Sequence, residues 1–219
     1  MPAATLKPTA VRWPVPAALA LAPLVLGVLV SFSSDHSARY GLVVLGLFAV
    51  VTAAACVLGA VLLRGGPRLG ATLKAVVGLG GGVFALVMAG MTDHGTDEAA
   101  KAALLAWTVL GILGLCAVID IWLGVVRRRQ DRFGRDWLTL GVLEAVVAVA
   151  VMLVPSGYAQ QYTVTDKTLP PIDLELNASV MVVGLLGAGL AIIGVYLAIA
   201  AVSLMSGRKR ADQHAEVTA

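Results

Sequence analysis

The stretch 40–63, YGLVVLGLFAVVTAAACVLGAVLL, runs for 24 residues without a charged side chain. Because a helix needs about 20 mostly apolar residues to cross the hydrocarbon core of a bilayer, this stretch predicts a transmembrane helix. Five other runs have the same apolar character and cover residues 14–32, 75–91, 102–126, 137–154 and 178–205. The sequence therefore predicts an all-α fold, a polytopic membrane bundle of six transmembrane helices that forms one domain over residues 14–206.

The composition of the whole chain agrees with this interpretation. Of the 219 residues, 59% are hydrophobic and only 13% are charged, whereas about 25% are charged in an ordinary soluble domain. The formal net charge of +3 is small, and basic residues in a membrane protein mainly set its orientation. The composition excludes a soluble globular domain, a disordered chain and a nucleic-acid-binding protein, and the expected partner is the lipid bilayer.

Basic side chains are distributed unevenly between the two ends of the predicted spans. With residues 1–13 in the cytoplasm, only Arg39, Lys101 and Lys167 of the 16 Lys and Arg residues lie outside, and Lys74 belongs to the inner loop before the third span. Short cytoplasmic loops carry an excess of Lys and Arg. This distribution predicts a multi-pass membrane protein with residues 1–13 and the tail 207–219 both cytoplasmic.

A basic run at the inner end of the fourth span has two interpretations. It contains Arg127, Arg128, Arg129 and Arg132. Basic side chains near the membrane surface attract anionic lipid headgroups, each by about 1 kcal/mol. The same run would also serve as a stop-transfer anchor that only fixes the topology, and the sequence favours this second role.

Similarities between spans predict an internal repeat. A shift of 65 residues places Val44-Leu45-Gly46 on Val109-Leu110-Gly111, and the sixth span fits the same pattern. We interpret the unit as a helical hairpin with a basic cytoplasmic turn, and the bundle as three hairpin-like repeats.

Small residues are frequent enough within the spans to allow close helix packing. They include Gly78-x-x-x-Gly82, Gly184-x-x-x-Ala188 and Ala53-Ala54-Ala55. In a bilayer, helices associate largely through close backbone approach at such residues. The pattern is typical of packing within the chain, and contact with a second copy or with another membrane protein is the alternative.

Two acids interrupt otherwise apolar spans. Asp120 lies in the fourth span and Glu144 in the fifth, each about 10 Å above the cytoplasmic boundary at 1.5 Å per residue. Intramembrane carboxylates are costly and often functional. We expect both side chains to face the bundle interior and to share a proton, either as a proton or cation site or as a structural lock between two helices.

The chain between the fifth and sixth spans, residues 155–177, is the only long outer connection that the sequence predicts. Pro170-Pro171 stiffens it, and Tyr158, Gln160 and Gln161 make it polar. It is expected either to lie across the outer face of the bundle and contact a partner or the first outer turn, or to be a flexible linker.

The fifth and fourth spans carry a family resemblance. Trp137-Leu138, Gly141-Val142-Leu143-Glu144 and Gly111-Ile112-Leu113-Gly114-Leu115-Cys116 resemble the corresponding spans of the HdeD-type membrane proteins, small six-span proteins linked to acid resistance. The resemblance covers about residues 12–206. It implies a non-enzymatic, multi-pass protein of the bacterial plasma (inner) membrane in acid or envelope stress tolerance, and it supplies no catalytic residue.

Other chemistry finds little support in the sequence. Cys56 and Cys116 lie within spans and are expected to be structural thiols. No metal-ligand spacing, nucleophile–base pairing or phosphate-binding loop occurs, so no catalytic residue, metal or cofactor is predicted. The alternative function is a small proton-coupled transporter or channel that uses Asp120 and Glu144.

Overall fold

The computed structural model describes residues 13–63, 65–92, 97–128, 132–164 and 172–217. Within this part of the chain there are six helices and two strands. In chain order they are α1 (Pro14–Phe32), α2 (Ala38–Leu62), α3 (Gly66–Met91), α4 (Glu98–Arg127), α5 (Arg132–Met152), β1 (Ala159–Val164), β2 (Ile172–Asn177) and α6 (Ala178–Val217).

Five of the helices in the described residues are long and apolar enough to cross a membrane: α1, α2, α3, α4 and the first part of α6, Ala178–Ser206. This is the composition of a multi-pass membrane protein. Helix α5 is the exception, because it begins five residues before the predicted span and takes in Arg132, Arg135 and Asp136. The prediction of helical, membrane-crossing character is therefore confirmed at the level of a helical membrane protein.

The third helix corrects one boundary. The predicted span began at residue 75, but α3 begins at Gly66, and Pro67 occupies its first turn. Proline is favoured there because the first helical N–H groups have no partner within the helix. Lys74 therefore lies inside a helix, where its side chain is 4% exposed, and its assignment to an inner loop was wrong.

The helices are arranged in three principal pairs. Helix α2 packs along α3, α4 along α5, and α6 along α1, while α2, α4 and α6 also contact one another. Helices α2, α4 and α6 thus form the centre of the bundle, and α1, α3 and α5 lie around them. Each of these peripheral helices also contacts the central helix that follows it in the chain: α1 contacts α2, α3 contacts α4, and α5 contacts α6. The same set of contacts thus occurs three times around the bundle.

Glycines permit the closest helix contacts. A Cβ atom on Gly27 would lie 2.6 Å from the backbone nitrogen of Ala191, so α1 and α6 meet backbone to backbone. Gly78 and Gly82 approach α2 in the same way, with added Cβ atoms 2.8 Å from the Ala49 oxygen and 2.9 Å from the Gly46 oxygen. The Gly78-x-x-x-Gly82 motif therefore packs within the chain, whereas Gly184 faces open space.

The outer connection contains a β-hairpin, which the sequence analysis did not predict. Strands β1 and β2 pair antiparallel with Ala159 opposite Asn177 and Val164 opposite Ile172. Asn177 leads directly into α6, where its side chain accepts a hydrogen bond from the Val180 N–H at 3.1 Å. The Ala178 N–H donates to the backbone carbonyl oxygen of Tyr158 at 2.9 Å. These bonds fix the base of the hairpin to α6, and the flexible-linker interpretation does not hold for residues 159–164 and 172–177.

Candidate functional site

The two predicted acids do face the interior of the bundle. Asp120 is 0% exposed and Glu144 is 4% exposed. They lie on α4 and α5, two helices that pack closely along their length because Gly124 abuts the backbone of Leu138 and Gly141 abuts that of Ile121. The expectation that neither side chain points toward lipid is confirmed.

A third charged residue, Lys74, joins the two acids. Its Nζ donates to Asp120 Oδ2 at 2.6 Å and to Glu144 Oε1 at 2.9 Å. The cluster of Lys74, Asp120 and Glu144, which we call the buried triad, thus connects α3, α4 and α5. Charge-assisted hydrogen bonds of this length are about twice as strong as neutral ones.

Helix register explains why these residues meet. Helices α3 and α4 run antiparallel: Gly70 packs on the Leu123 side chain, and Gly81 packs on the Ile112 side chain. Lys74 lies one turn beyond Gly70, and Asp120 lies three residues before Leu123, so the two oppose each other. The small residue at Gly70 lets α4 come close enough for the lysine to reach both acids.

The structure adds a lysine to the expected pair of acids, whose carboxyl groups are close enough to hydrogen-bond each other when one of them is protonated, so a proton shared between them stays a prediction. Lys74 supplies a positive charge, and with all three groups ionised the triad carries one net negative charge. Asp120 Oδ1 and Glu144 Oε2 are buried and accept no hydrogen bond from any residue that the structure describes. An uncompensated charge and two unsatisfied oxygens are expensive in a buried place, so the site has unused capacity for a proton or a small cation.

Helix α2 and the middle of α4 surround the triad with weakly polar groups. The thiols of Cys56 and Cys116 are buried and lie near the three charged residues. One turn from Cys56, Thr52 has a buried hydroxyl without a hydrogen-bond partner in the described part of the chain. Among the residues that the structure describes, no group of three or more His, Cys, Asp and Glu side chains could hold a metal ion.

The basic run predicted to contact lipid is only partly visible. Arg127 is half-buried, and its guanidinium lies beside the start of α3, with Nε 3.3 Å from where a Cβ of Gly66 would be. Arg128 is exposed. Arg129 lies outside the described residues, and Arg132 begins α5 with a side chain that is not described. Contact of this run with anionic lipid stays a prediction, as does the cytoplasmic location of residues 1–13 and 207–219.

Lys74 was missed because it adjoins the apolar run instead of interrupting it. The signals that could have found it were Pro67 as a helix start and the apolar residues Leu69, Ala71 and Leu73 around it. Together they extend the third helix by two turns toward its N-terminus and put a lysine within it.

Comparisons with known proteins add no identity. No protein-family model matches the chain, and neither the curated proteins nor the solved structures gave a match. The resemblance to HdeD-type proteins is therefore still an expectation from a few motifs, and the function must be argued from the buried triad.

Proposed function

We propose that this chain is a non-enzymatic integral protein of the bacterial inner membrane that binds a proton reversibly at the buried triad. The observation that supports this most directly is the pair of buried carboxylate oxygens, Asp120 Oδ1 and Glu144 Oε2, that no described residue satisfies. One proton on either carboxylate would make the triad neutral. The protonated carboxyl could then donate a hydrogen bond to the unsatisfied oxygen of the other acid.

A proton fits the site better than a metal cation. Hard cations require several oxygen ligands, six or more for Ca²⁺ and Mg²⁺, whereas the triad offers two oxygens that are not already bonded to Lys74. A proton needs a single acceptor and costs no ligand exchange.

The proposal includes six membrane crossings. Helix α5 has 21 residues and is therefore about 31 Å long, of which the 16 residues after Asp136 cover about 24 Å of a hydrocarbon thickness of about 30 Å. It packs along α4 in antiparallel register, and α4 is itself apolar enough to cross. The charges near its start, Arg135 and Asp136, would lie at the inner boundary. Three repeated hairpins are the finer form of this proposal, supported by the contact pattern that occurs three times.

Infrared spectroscopy of the purified protein tests the proton site. A protonated buried carboxyl gives a carbonyl stretching band that an ionised carboxylate lacks, and we expect this band to appear and vanish reversibly with pH. Glu144→Gln or Asp120→Asn should remove or shift it, whereas Glu98→Gln, at an exposed glutamate paired with Lys101, should leave it unchanged. A spectrum without a triad-dependent band over the whole range in which the fold persists would refute proton binding.

Two roles could use such a site, and one pair of experiments separates them. The resemblance to HdeD-type proteins implies acid tolerance, so a deletion strain should survive acid poorly and Glu144→Gln should fail to restore it. The two unsatisfied oxygens favour proton-coupled transport as the second candidate, for which proteoliposomes should show a proton flux that Glu144→Gln abolishes. Acid rescue without flux would assign the first role.

A further inference from the structure

A small crevice lies near the inner ends of α1, α5 and α6. Its volume is about 40 Å³, which is space enough for at least one water molecule. Val15 and Leu19 of α1 and Leu197 of α6 line it with apolar side chains. Asp136, Trp137 and Tyr196 are the lining residues whose side chains carry polar atoms, and Asp136 and Tyr196 can accept a hydrogen bond from water.

Asp136 and Tyr196 form a polar edge to this crevice. The Tyr196 hydroxyl lies 3.4 Å from Asp136 Oδ1 and 3.5 Å from the Asp136 backbone oxygen. Both side chains are half-buried, so water at the boundary can reach the carboxylate and the hydroxyl.

Behind this edge, one face of α5 points toward the buried triad. Asp136, Leu140 and Glu144 follow one another at intervals of four residues, and residues four apart lie on the same side of a helix. The rise from Asp136 to Glu144 is about 12 Å at 1.5 Å per residue. Leu140 lies midway, lines the crevice and is 5% exposed.

Leu140 belongs to an apolar cluster that fills the space between crevice and triad. Its buried neighbours in this cluster include Cys56, Ala75 and Ile193. Ala75 follows Lys74 in α3, and Cys56 lies near the triad. Apolar side chains, Leu140 among them, therefore lie along α5 between the Asp136 carboxylate and Glu144.

We propose that Asp136 and Tyr196 mark the cytoplasmic entrance of the proton route to the buried triad, and that Leu140 closes this route. The proposal rests on the proposed function, because it assumes that a triad carboxylate takes up a proton. A proton crosses 12 Å only along a chain of water or side chains, so the Leu140 side chain must move aside for each exchange. Leu140 is thus a positioning residue that controls the rate of proton exchange and not its equilibrium.

The test measures hydrogen–deuterium exchange at the carboxyl band of the triad after transfer to deuterated buffer. Leu140→Ala should speed the exchange about ten-fold, which equals a barrier lower by about 1.4 kcal/mol. The matched control is Leu143→Ala, on the same helix and packed against the same cluster but not lining the crevice. It should leave the exchange rate close to that of the wild type.

A second variant keeps the test independent of stability. Asp136→Asn removes the proton acceptor at the entrance without opening a cavity, and it should slow exchange while the band and its pH midpoint persist. A normal band with equal exchange rates in wild type, Leu140→Ala and Asp136→Asn would overturn the route and leave the proposed function intact. Absence of the band in the wild type would instead overturn the proposed function.

Discussion

Lys74 holds the three charges of the buried triad together, because it is the donor that both acids share. Removing one partner from a buried ion cluster is far more damaging than replacing all of it, since the remaining charges keep their desolvation cost and lose their compensation. This asymmetry gives the triad a testable signature.

We expect Lys74→Met to lower the free energy of unfolding by about 3–5 kcal/mol, because two buried carboxylates then lack their counter-charge. The triple variant Lys74→Met, Asp120→Asn, Glu144→Gln should recover most of this loss, since no formal charge is left unpaired. Thermal or denaturant unfolding in mild detergent, followed by circular dichroism, measures both.

The control for this comparison is Lys101→Met. Lys101 pairs with the exposed Glu98 at 2.8 Å, and exposed ion pairs contribute about 0–1 kcal/mol. If Lys74→Met destabilised no more than Lys101→Met does, the triad would not hold its helices together.

The sequence was sufficient to predict that the two acids are buried, but it was not sufficient to predict that Lys74 joins them. A carboxylate in the middle of an apolar run is conspicuous, and Asp120 and Glu144 were assigned correctly to the interior. Lys74 sits where the run begins, and the positive-inside bias accounted for it as a loop residue. Its partner became visible only when the packing of α3 on α4 placed it beside Asp120.

Among the helices, the backbone contact of α1 with α6 tolerates no added atoms. A methyl group at Gly27 would lie 2.6 Å from the Ala191 nitrogen, and backbone cannot move aside as a flexible side chain can. We expect Gly27→Ala to destabilise the protein by about 1–3 kcal/mol, the usual cost of overpacking. Thermal unfolding in detergent measures it.

Gly184→Ala is the matched substitution, because the same methyl group there meets nothing within 4 Å. It should leave stability nearly unchanged or raise it slightly through better helix propensity. Equal losses at both positions would show that the effect comes from glycine itself and not from the close approach of the two helices.

The β-hairpin is the element that the sequence contains a signal for but that was not predicted. Ile172-Asp173-Leu174-Glu175-Leu176 alternates apolar and polar residues, which is the period of a strand. Pro170-Pro171 and the length of the segment favour an irregular connection, and they outweigh an alternation of only five residues. The helices, by contrast, were predictable, since in a bilayer an apolar run of this length has no other way to satisfy its backbone.

For the whole molecule, the distribution of Lys and Arg predicts the orientation in the membrane. The number of membrane crossings depends on whether α5 crosses. We expect reporter fusions at Thr96 and Gln160 to behave as extracytoplasmic, and fusions at Gly66, Phe133 and Ala215 as cytoplasmic. The reason is the bias of Lys and Arg to the cytoplasmic side. An alkaline phosphatase and a fluorescent protein fused at each position provide opposite readouts.

Gln160 and Phe133 are the decisive pair, because they flank α5. If both fusions reported the cytoplasm, α5 would not cross, the triad would lose its membrane setting, and the tail at Ala215 would lie outside. Opposite readouts at these two positions establish the sixth crossing.

The pairing of α6 with α1 makes the bundle a closed ring in which the start of the chain is arbitrary. The N-terminal end of α1 near Pro14 lies beside the C-terminal half of α6, since Gly27 meets Ala191 and Leu24 meets Gly194 in an antiparallel pair. A circular permutant that joins the tail to residue 13 and opens the connection between α4 and α5 would keep every helix in place and both ends on the same side of the bundle. We expect it to insert, to fold and to retain the infrared carboxyl band of the triad. In this permutant α5 is the first helix of the chain and α4 is the last. The reference is the original chain with the same linker sequence attached to its tail. If the permutant failed to fold while this reference folded, the order in which the helices insert would matter as well as the contacts between them.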